Sequence, residues 1–151
     1  MFLHVPSYSI MLLHVPSCSF IFLPISSCYY IFLHVPLCHF MFLYVTSCSY
    51  MFLHVPSCSF MFLHVHLCYF MFLHVPLCYF KLLHVTTYSF LLLPVPSRSF
   101  HIPSNSYMFL HVPLCYFIFL YVTSCSFILL HVSSYSFMFF HVLSCSFMFL
   151  S

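Results

Sequence analysis

The chain has no aspartate, no glutamate and no glycine among its 151 residues. Without a carboxylate, a Ser–His–Asp or Cys–His–Asp relay cannot be assembled from side chains. Without glycine, the glycine-rich loops that bind phosphates cannot form. The only fixed charges are Lys81 and Arg98, and two cations cannot hold the phosphate backbone of a nucleic acid. We therefore expect no enzyme, no catalytic residue, no cofactor, no small-molecule substrate and no nucleic-acid partner.

Charge of either sign is nearly missing. Charged residues make up 1% of the chain and apolar residues 65%, against the usual ~25% and ~45–50% in soluble domains. Serine, threonine and thirteen histidines must supply the whole polar surface. Because the imidazole pKa is ordinarily ~6.5, these rings gain charge in acid, and we predict that solubility rises as the pH falls through 6. The compartment is unknown from sequence; we expect the membrane or insoluble fraction if the chain is expressed.

A ten-residue unit close to MFLHVPSCSF fills the chain from end to end. Residues 1–100 hold ten tandem decapeptides, and residues 101–107 are a truncated copy that lacks the first three positions. Residues 108–151 hold four further copies and a partial one. A period this short indicates either a repeat architecture or a repetitive piece of DNA read in frame.

The copies differ by exchanges that need a single base change in the DNA but strongly alter the polarity or volume of the side chain. The fourth position changes from His to Pro24 or Tyr44, and the eighth from Cys to Tyr88 or Arg98. Each exchange is one base apart in the genetic code, whereas selected core positions exchange residues of similar volume and polarity. The favoured interpretation is an uncharacterised translation product of satellite-like DNA without a defined biochemical function. The alternatives are a hydrophobic membrane-associated repeat protein, a self-assembling β-rich structural material and an adventitious soft-metal binder.

The repeat length favours strands over helices. Ten helical residues leave successive copies rotated by ~80°, whereas the side-chain period of two in a strand divides ten. In FMFLHV the Met, Leu and Val side chains then share one face, and Phe and His share the other. We expect no conventional globular fold but short β-strands with Pro/Ser turns, as a meander or a solenoid. Tight hairpins favour Gly, Asn or Asp, of which the chain has only Asn105, and the seven-residue copy is expected to interrupt a regular solenoid.

Hydrophobic transmembrane helices are the alternative fold. Three stretches are free of proline and long enough to cross a bilayer, which takes ~20 residues. They are Leu37–Val55, Ser57–Val75 and Leu77–Leu93, and Leu114–Ser151 could supply two more. His, Ser and Cys nevertheless interrupt each stretch at regular intervals. The partners consistent with this composition are a lipid bilayer or other copies of the chain.

Histidine precedes cysteine by four residues in seven copies. Imidazole and thiolate suit Zn²⁺ or Cu(I), and an i, i+4 pair on a helix would converge on one ion. Proline lies between the partners in several pairs, and no CxxC or HxxxH spacing occurs. We therefore predict no evolved metal site and no designed disulfide framework among the ten cysteines. The pairs are His14/Cys18, His34/Cys38, His54/Cys58, His64/Cys68, His74/Cys78, His111/Cys115 and His141/Cys145.

Overall fold

The computed structural model describes residues 2–94, 99–112 and 115–151, and the regular secondary structure within them is all β-strand. Eight strands form one parallel sheet whose spatial order is the order of the chain. The protein is thus an all-β, parallel, solenoid-like chain. The strands are β1 Val5–His14, β2 Cys18–His34, β3 Leu37–His54, β4 Ser57–His74, β5 Leu77–Pro94, β6 Ser99–Val112, β7 Cys115–Val132 and β8 Tyr135–Leu150.

These strands are too long to lie straight in such a sheet. β3 and β4 each contain 18 residues, which would span ~60 Å if fully extended. Only Val55 and Pro56 connect them, whereas two straight parallel strands need a crossover of about a dozen residues. Each strand must therefore bend round until its end lies beside its own beginning. One strand and its short link make one coil.

Each coil contains two decapeptides. Paired residues are 20 positions apart from β1 to β5, so that Cys38 lies opposite Cys58 and Met41 opposite Met61. Because this offset is a multiple of the repeat, residues of the same type stack on neighbouring coils, ~4.8 Å apart. The fold thus turns a sequence period into columns of like side chains.

The first, third, fifth and eighth positions of the decapeptide form the interior. In β3, Met41, Leu43, Val45 and Cys48 are each at most 2% exposed. The side chains between them point outwards, as at Tyr44, which is 40% exposed. The predicted faces of FMFLHV, with Met, Leu and Val on one side and Phe and His on the other, are confirmed for the described coils.

The strands bend where this alternation slips. At Thr46–Ser47 and again at Ser49–Tyr50, neither of two neighbouring side chains is buried. A strand normally sends successive side chains to opposite faces, so two outward residues in a row mark a change of direction. None of the described residues has a positive φ. The coil bends without the left-handed residues that a hairpin needs, and of the two predicted arrangements it is the solenoid that forms.

Proline lies in each of the four links between β1 and β5, although Pro6 and Pro103 lie inside β1 and β6. Pro36 and Pro56 occupy the sixth position and lie in the links, whereas Thr46 and His66 occupy the same position inside β3 and β4. Proline has no N–H to donate to the ladder, although the preceding Val35 still donates its N–H to the carbonyl of His54 at 3.0 Å. The strands are therefore longer than the short β-strands expected from the sequence. The strand continues through one decapeptide boundary and breaks once in twenty residues.

The seven-residue copy does not interrupt the sheet. β5 and β6 pair with an offset of 17, which places His101 beside His84 and His111 beside Pro94. The offset returns to 20 between β6 and β7. Residues 95–98, between β5 and β6, lie outside the described part of the chain. The expected interruption of the solenoid is wrong, because one shorter coil still stacks on its neighbours.

The transmembrane-helix alternative is also wrong. Within the described ranges, the structure has no helix of the length and apolarity needed to span a bilayer. The three proline-free stretches coincide with β3, β4 and β5, and the described part of Leu114–Ser151 forms β7 and β8.

Candidate functional site

The structure separates the members of the predicted His–Cys pairs. His34 lies on the outer face, whereas Cys38, four residues further on, is 2% exposed in the interior. The fourth position faces outwards and the eighth inwards, so the imidazole and the thiol of one copy cannot meet on one ion. The stacked register extends this arrangement to His14/Cys18, His54/Cys58, His64/Cys68, His74/Cys78 and His141/Cys145. The side chain of Cys115, the partner of His111, lies outside the described part.

The inward thiols form a column of their own. Cys18 Sγ lies 3.2 Å from Cys38 Sγ, and the Cys38 and Cys58 thiols donate to the carbonyl oxygens of Phe40 and Phe60 at 3.2 and 3.1 Å. Burial, followed by the hydrogen bond and charge of Cys18, raises the pKa of Cys38 to about 12. A thiol held in its protonated form is a poor nucleophile and metal ligand. This column is therefore part of the core.

The outward histidines stack in a second column. The rings of His14, His34, His54 and His74 follow one another at centroid distances of 4.9, 4.9 and 5.0 Å, with interplanar angles of 8° or less. Partial burial, and then the charge of neighbouring rings, lowers the pKa of His34 and His54. Both shifts favour the neutral form of His34 and His54, because burial and a protonated neighbour each disfavour the charged ring.

One part of the outer face departs from this regular stacking. His64 and His66 lie on β4 with their Nε2 atoms 3.3 Å apart, and their rings meet edge-on at an 83° angle. The Tyr44 hydroxyl on β3 donates to or accepts from His66 Nε2 at 2.8 Å. His84 on β5 brings its Nδ1 to 3.0 Å from His64 Nδ1. Three imidazoles and a phenol thus meet across three neighbouring coils.

A second exception lies inside the core. Lys81 occupies the first position of the decapeptide, opposite Met61, and is 1% exposed. Burial lowers the pKa of its amine to about 7, and the Cys78 and Cys58 thiols oppose this only in part. An apolar interior disfavours the charged form of a lysine, because the ammonium group loses its hydration there. This residue weakens the coil and does not form an accessible site.

Across the described residues no group of three or more His or Cys side chains is arranged to hold one metal ion. The comparisons add no assignment: no protein-family model, no curated protein and no solved structure matches the chain. Any function has to be argued from the geometry of these columns and their exceptions.

Sequence reasoning missed the cluster around His66. The sequence pattern pairs His64 only with Cys68 and assigns no role to His66. The signal was nevertheless present, because His64–Val65–His66 places two imidazoles two residues apart, and such residues share one face of a strand. The partners on β3 and β5 became visible only with the 20-residue offset between strands.

Proposed function

We propose that the chain is a self-assembling structural β-solenoid without a catalytic role. The observation that supports this most directly is the in-register stacking of like residues on successive coils. The two surfaces on which a coil stacks are therefore complementary to each other, because every coil contacts the next through the same types of residue. A surface that fits a copy of itself by translation gives a head-to-tail contact, which extends into an open filament and does not close into a ring.

The surface of β8 suits such a contact. Met148 and Leu150 occupy inward positions but are 46% and 54% exposed, whereas the equivalent Met51 and Leu53 are 0% exposed. β8 has no Lys, Arg, Asp or Glu side chain that would oppose such a contact. A coil from a second copy would bury these side chains as β4 buries those of β3.

The outer face favours association as well. Phe20, Phe40 and Phe60 form part of a column that is 36–42% exposed, and Tyr79, which precedes Phe80 of the same column, is 74% exposed. Large contiguous apolar patches on a protein surface are typical of interaction sites. Solenoids could pack side by side through this face. The same face could instead adsorb to lipid, which is the alternative proposal of a membrane-associated protein.

Several positions that vary between copies lie on the outside of the coil. The exchanges at the fourth and sixth positions fall on the outside, where Tyr44 or His66 disturbs no packing. At the inward third position every copy has Leu except Phe140, and the inward fifth position is always Val or Ile. Such restriction inside and freedom outside is what a packed core imposes. Lys81 and Tyr88, which replaces Cys at the inward eighth position, are exceptions, and translation of satellite-like DNA without an evolved function is the competing proposal.

Assembly can be tested by diluting the denatured chain into buffer at pH 8. We expect unbranched filaments by electron microscopy and a fibre-diffraction reflection at ~4.8 Å along the filament axis, where coils stack. The blocking variant combines Met148→Lys and Leu150→Lys, which places two amines where a further coil would bury them. The matched control combines Leu143→Lys and Phe147→Lys, at outward positions that are 61% and 65% exposed.

We expect the blocking variant to elongate about tenfold more slowly or worse, because burying a charged amine costs several kcal/mol, while the control elongates nearly as fast as the parent chain. Equal elongation of both variants, or a parent chain that stays monomeric, would refute head-to-tail assembly. Flotation with neutral phosphatidylcholine vesicles, in place of filament growth, would support the lipid alternative.

A further inference from the structure

The contact between His64 and His66 has the dimensions of a metal chelate. Both residues lie on one face of β4, with Nε2 atoms 3.3 Å apart. A tetrahedral ion that binds imidazole nitrogens at ~2.0–2.1 Å holds two of them about 3.3 Å from each other. The backbone therefore presents the two nitrogens at the separation that a bound ion requires.

The remaining nitrogens of both rings have partners on β5. His64 Nδ1 lies 3.0 Å from His84 Nδ1, and His66 Nδ1 lies 3.4 Å from the hydroxyl of Thr86. Metal-binding histidines generally donate their second N–H to a neighbouring acceptor, which orients the ring and fixes the tautomer. With both Nδ1 atoms acting as donors to β5, the two Nε2 lone pairs are left for an ion.

We propose that His64 and His66 form a binding site for one divalent transition-metal ion of the Zn²⁺ or Cu²⁺ class, both of which imidazole suits. The Tyr44 hydroxyl, 2.8 Å from His66 Nε2, is placed to act as a third ligand, and water completes the coordination. Cys68 faces the interior at 2% exposure, so the site has nitrogen and oxygen ligands without sulfur.

The stacked histidines of the other column do not offer such a site. Rings of His34, His54 and His74 are nearly parallel at 4.9–5.0 Å, so their equivalent nitrogens are separated by about the same distance. An ion with metal–nitrogen bonds of ~2.0–2.1 Å cannot span more than about 4.1 Å. The site depends on His66, for which the coils on either side have Thr46 and Thr86.

The test uses Zn²⁺ alone, titrated calorimetrically into the full chain with its thiols reduced. The disabling variant is His66→Thr, which inserts the residue of the two neighbouring coils and so preserves the strand. The matched control is His54→Tyr, which removes an imidazole from the stacked column. Circular dichroism establishes that both variants keep the β-structure, and Co²⁺ absorption distinguishes nitrogen and oxygen ligands from thiolates, which add intense near-ultraviolet bands.

We expect the parent chain to have one tightest site per chain, whose affinity falls about tenfold or more in His66→Thr and is unchanged in His54→Tyr. Co²⁺ should show no thiolate bands. The proposal is overturned if His66→Thr binds as tightly as the parent chain, if His54→Tyr weakens binding equally, or if thiolate bands accompany the first equivalent. These results leave the assembly proposal unaffected, since filament growth does not require His66.

Discussion

Replacing Lys81 with methionine is expected to stabilise the solenoid. Lys81 is 1% exposed, and methionine occupies the same column at Met41 and Met61, both 0% exposed. Methionine fits the lysine volume closely and has no amine to desolvate. The substitution therefore restores the residue for which the interior of this column is built.

The expected gain in the free energy of unfolding follows from the lowered pKa of the buried amine. Burial lowers its pKa from 10.5 to about 7. At pH 7 the unfolded amine is charged while the folded one is half neutral, and at ~1.4 kcal/mol per tenfold change this difference costs the fold about 4 kcal/mol. Between pH 7 and 10.5 the unfolded chain binds more protons, so this penalty shrinks as the pH rises. Lys81→Met should accordingly gain most at or below pH 7 and progressively less towards pH 10.5.

Guanidinium unfolding at low protein concentration measures this gain. Tyrosine fluorescence is the convenient signal, since the chain has twelve tyrosines and no tryptophan. Met41→Lys, two coils away, is the reverse substitution and should lose a similar amount, whereas Leu67→Lys, at a position 46% exposed, should change little. If Lys81→Met is no more stable than the parent chain at pH 7, the assignment of this column to the interior is mistaken.

Three further predictions concern the core, the thiols and the histidine column. Leu53→Ala, at a position 0% exposed, should destabilise the chain by about 2–5 kcal/mol in guanidinium unfolding, while Leu77→Ala, at a position 68% exposed, should cost far less. Cys38, with a pKa raised to about 12 by burial and by Cys18, should react with iodoacetamide at pH 8 much more slowly in the folded chain than in guanidinium, as mass spectrometry of the labelled peptides would show; equal rates would contradict its burial. Partial burial and the charge of His74 lower the pKa of His54 from 6.5, so the unfolded chain binds more protons than the folded chain just below pH 6.5. The free energy of unfolding should therefore fall as the pH drops through this range, and His54→Tyr should reduce this pH dependence. A pH dependence unchanged by the substitution would argue against the stack.

The two faces of each strand could be predicted from the decapeptide alone. A side-chain period of two fits a repeat of ten, and this relation places Met, Leu and Val together wherever the strand lies. The position of the prolines likewise predicted where strands stop, at Pro36 and Pro56. These features depend on neighbours in sequence, and local physical chemistry therefore determines them.

The length of the coil could not be predicted from one decapeptide. The strand breaks at Pro36 and Pro56 but continues through Thr46 and His66, which occupy the same position of the decapeptide. Because alternate copies differ in this respect, the strand runs for nearly twenty residues. Within each His–Cys pair, the histidine then lies on the outer face of the coil and the cysteine in its interior. The cluster around His66 then follows from a 20-residue offset, which no ten-residue pattern contains.

The same difference argues that the coil, not the decapeptide, is the physical unit of this protein. One side of the coil has Pro36, Pro56 and Pro76 at the sixth position and His34, His54 and His74 at the fourth. The opposite side has Thr46, His66 and Thr86 at the sixth position and Tyr44, His64 and His84 at the fourth. A series of decapeptides that varied independently would have no reason to keep one side rich in proline over consecutive coils. The prolines at Pro36, Pro56 and Pro76, however, place three successive links at the same point of the coil, which keeps residues of the same type opposite each other. Selection for stacking would therefore maintain the alternation, and exchanging Pro56 with Thr46 should disturb the register of β3 and β4 more than the loss of either residue alone.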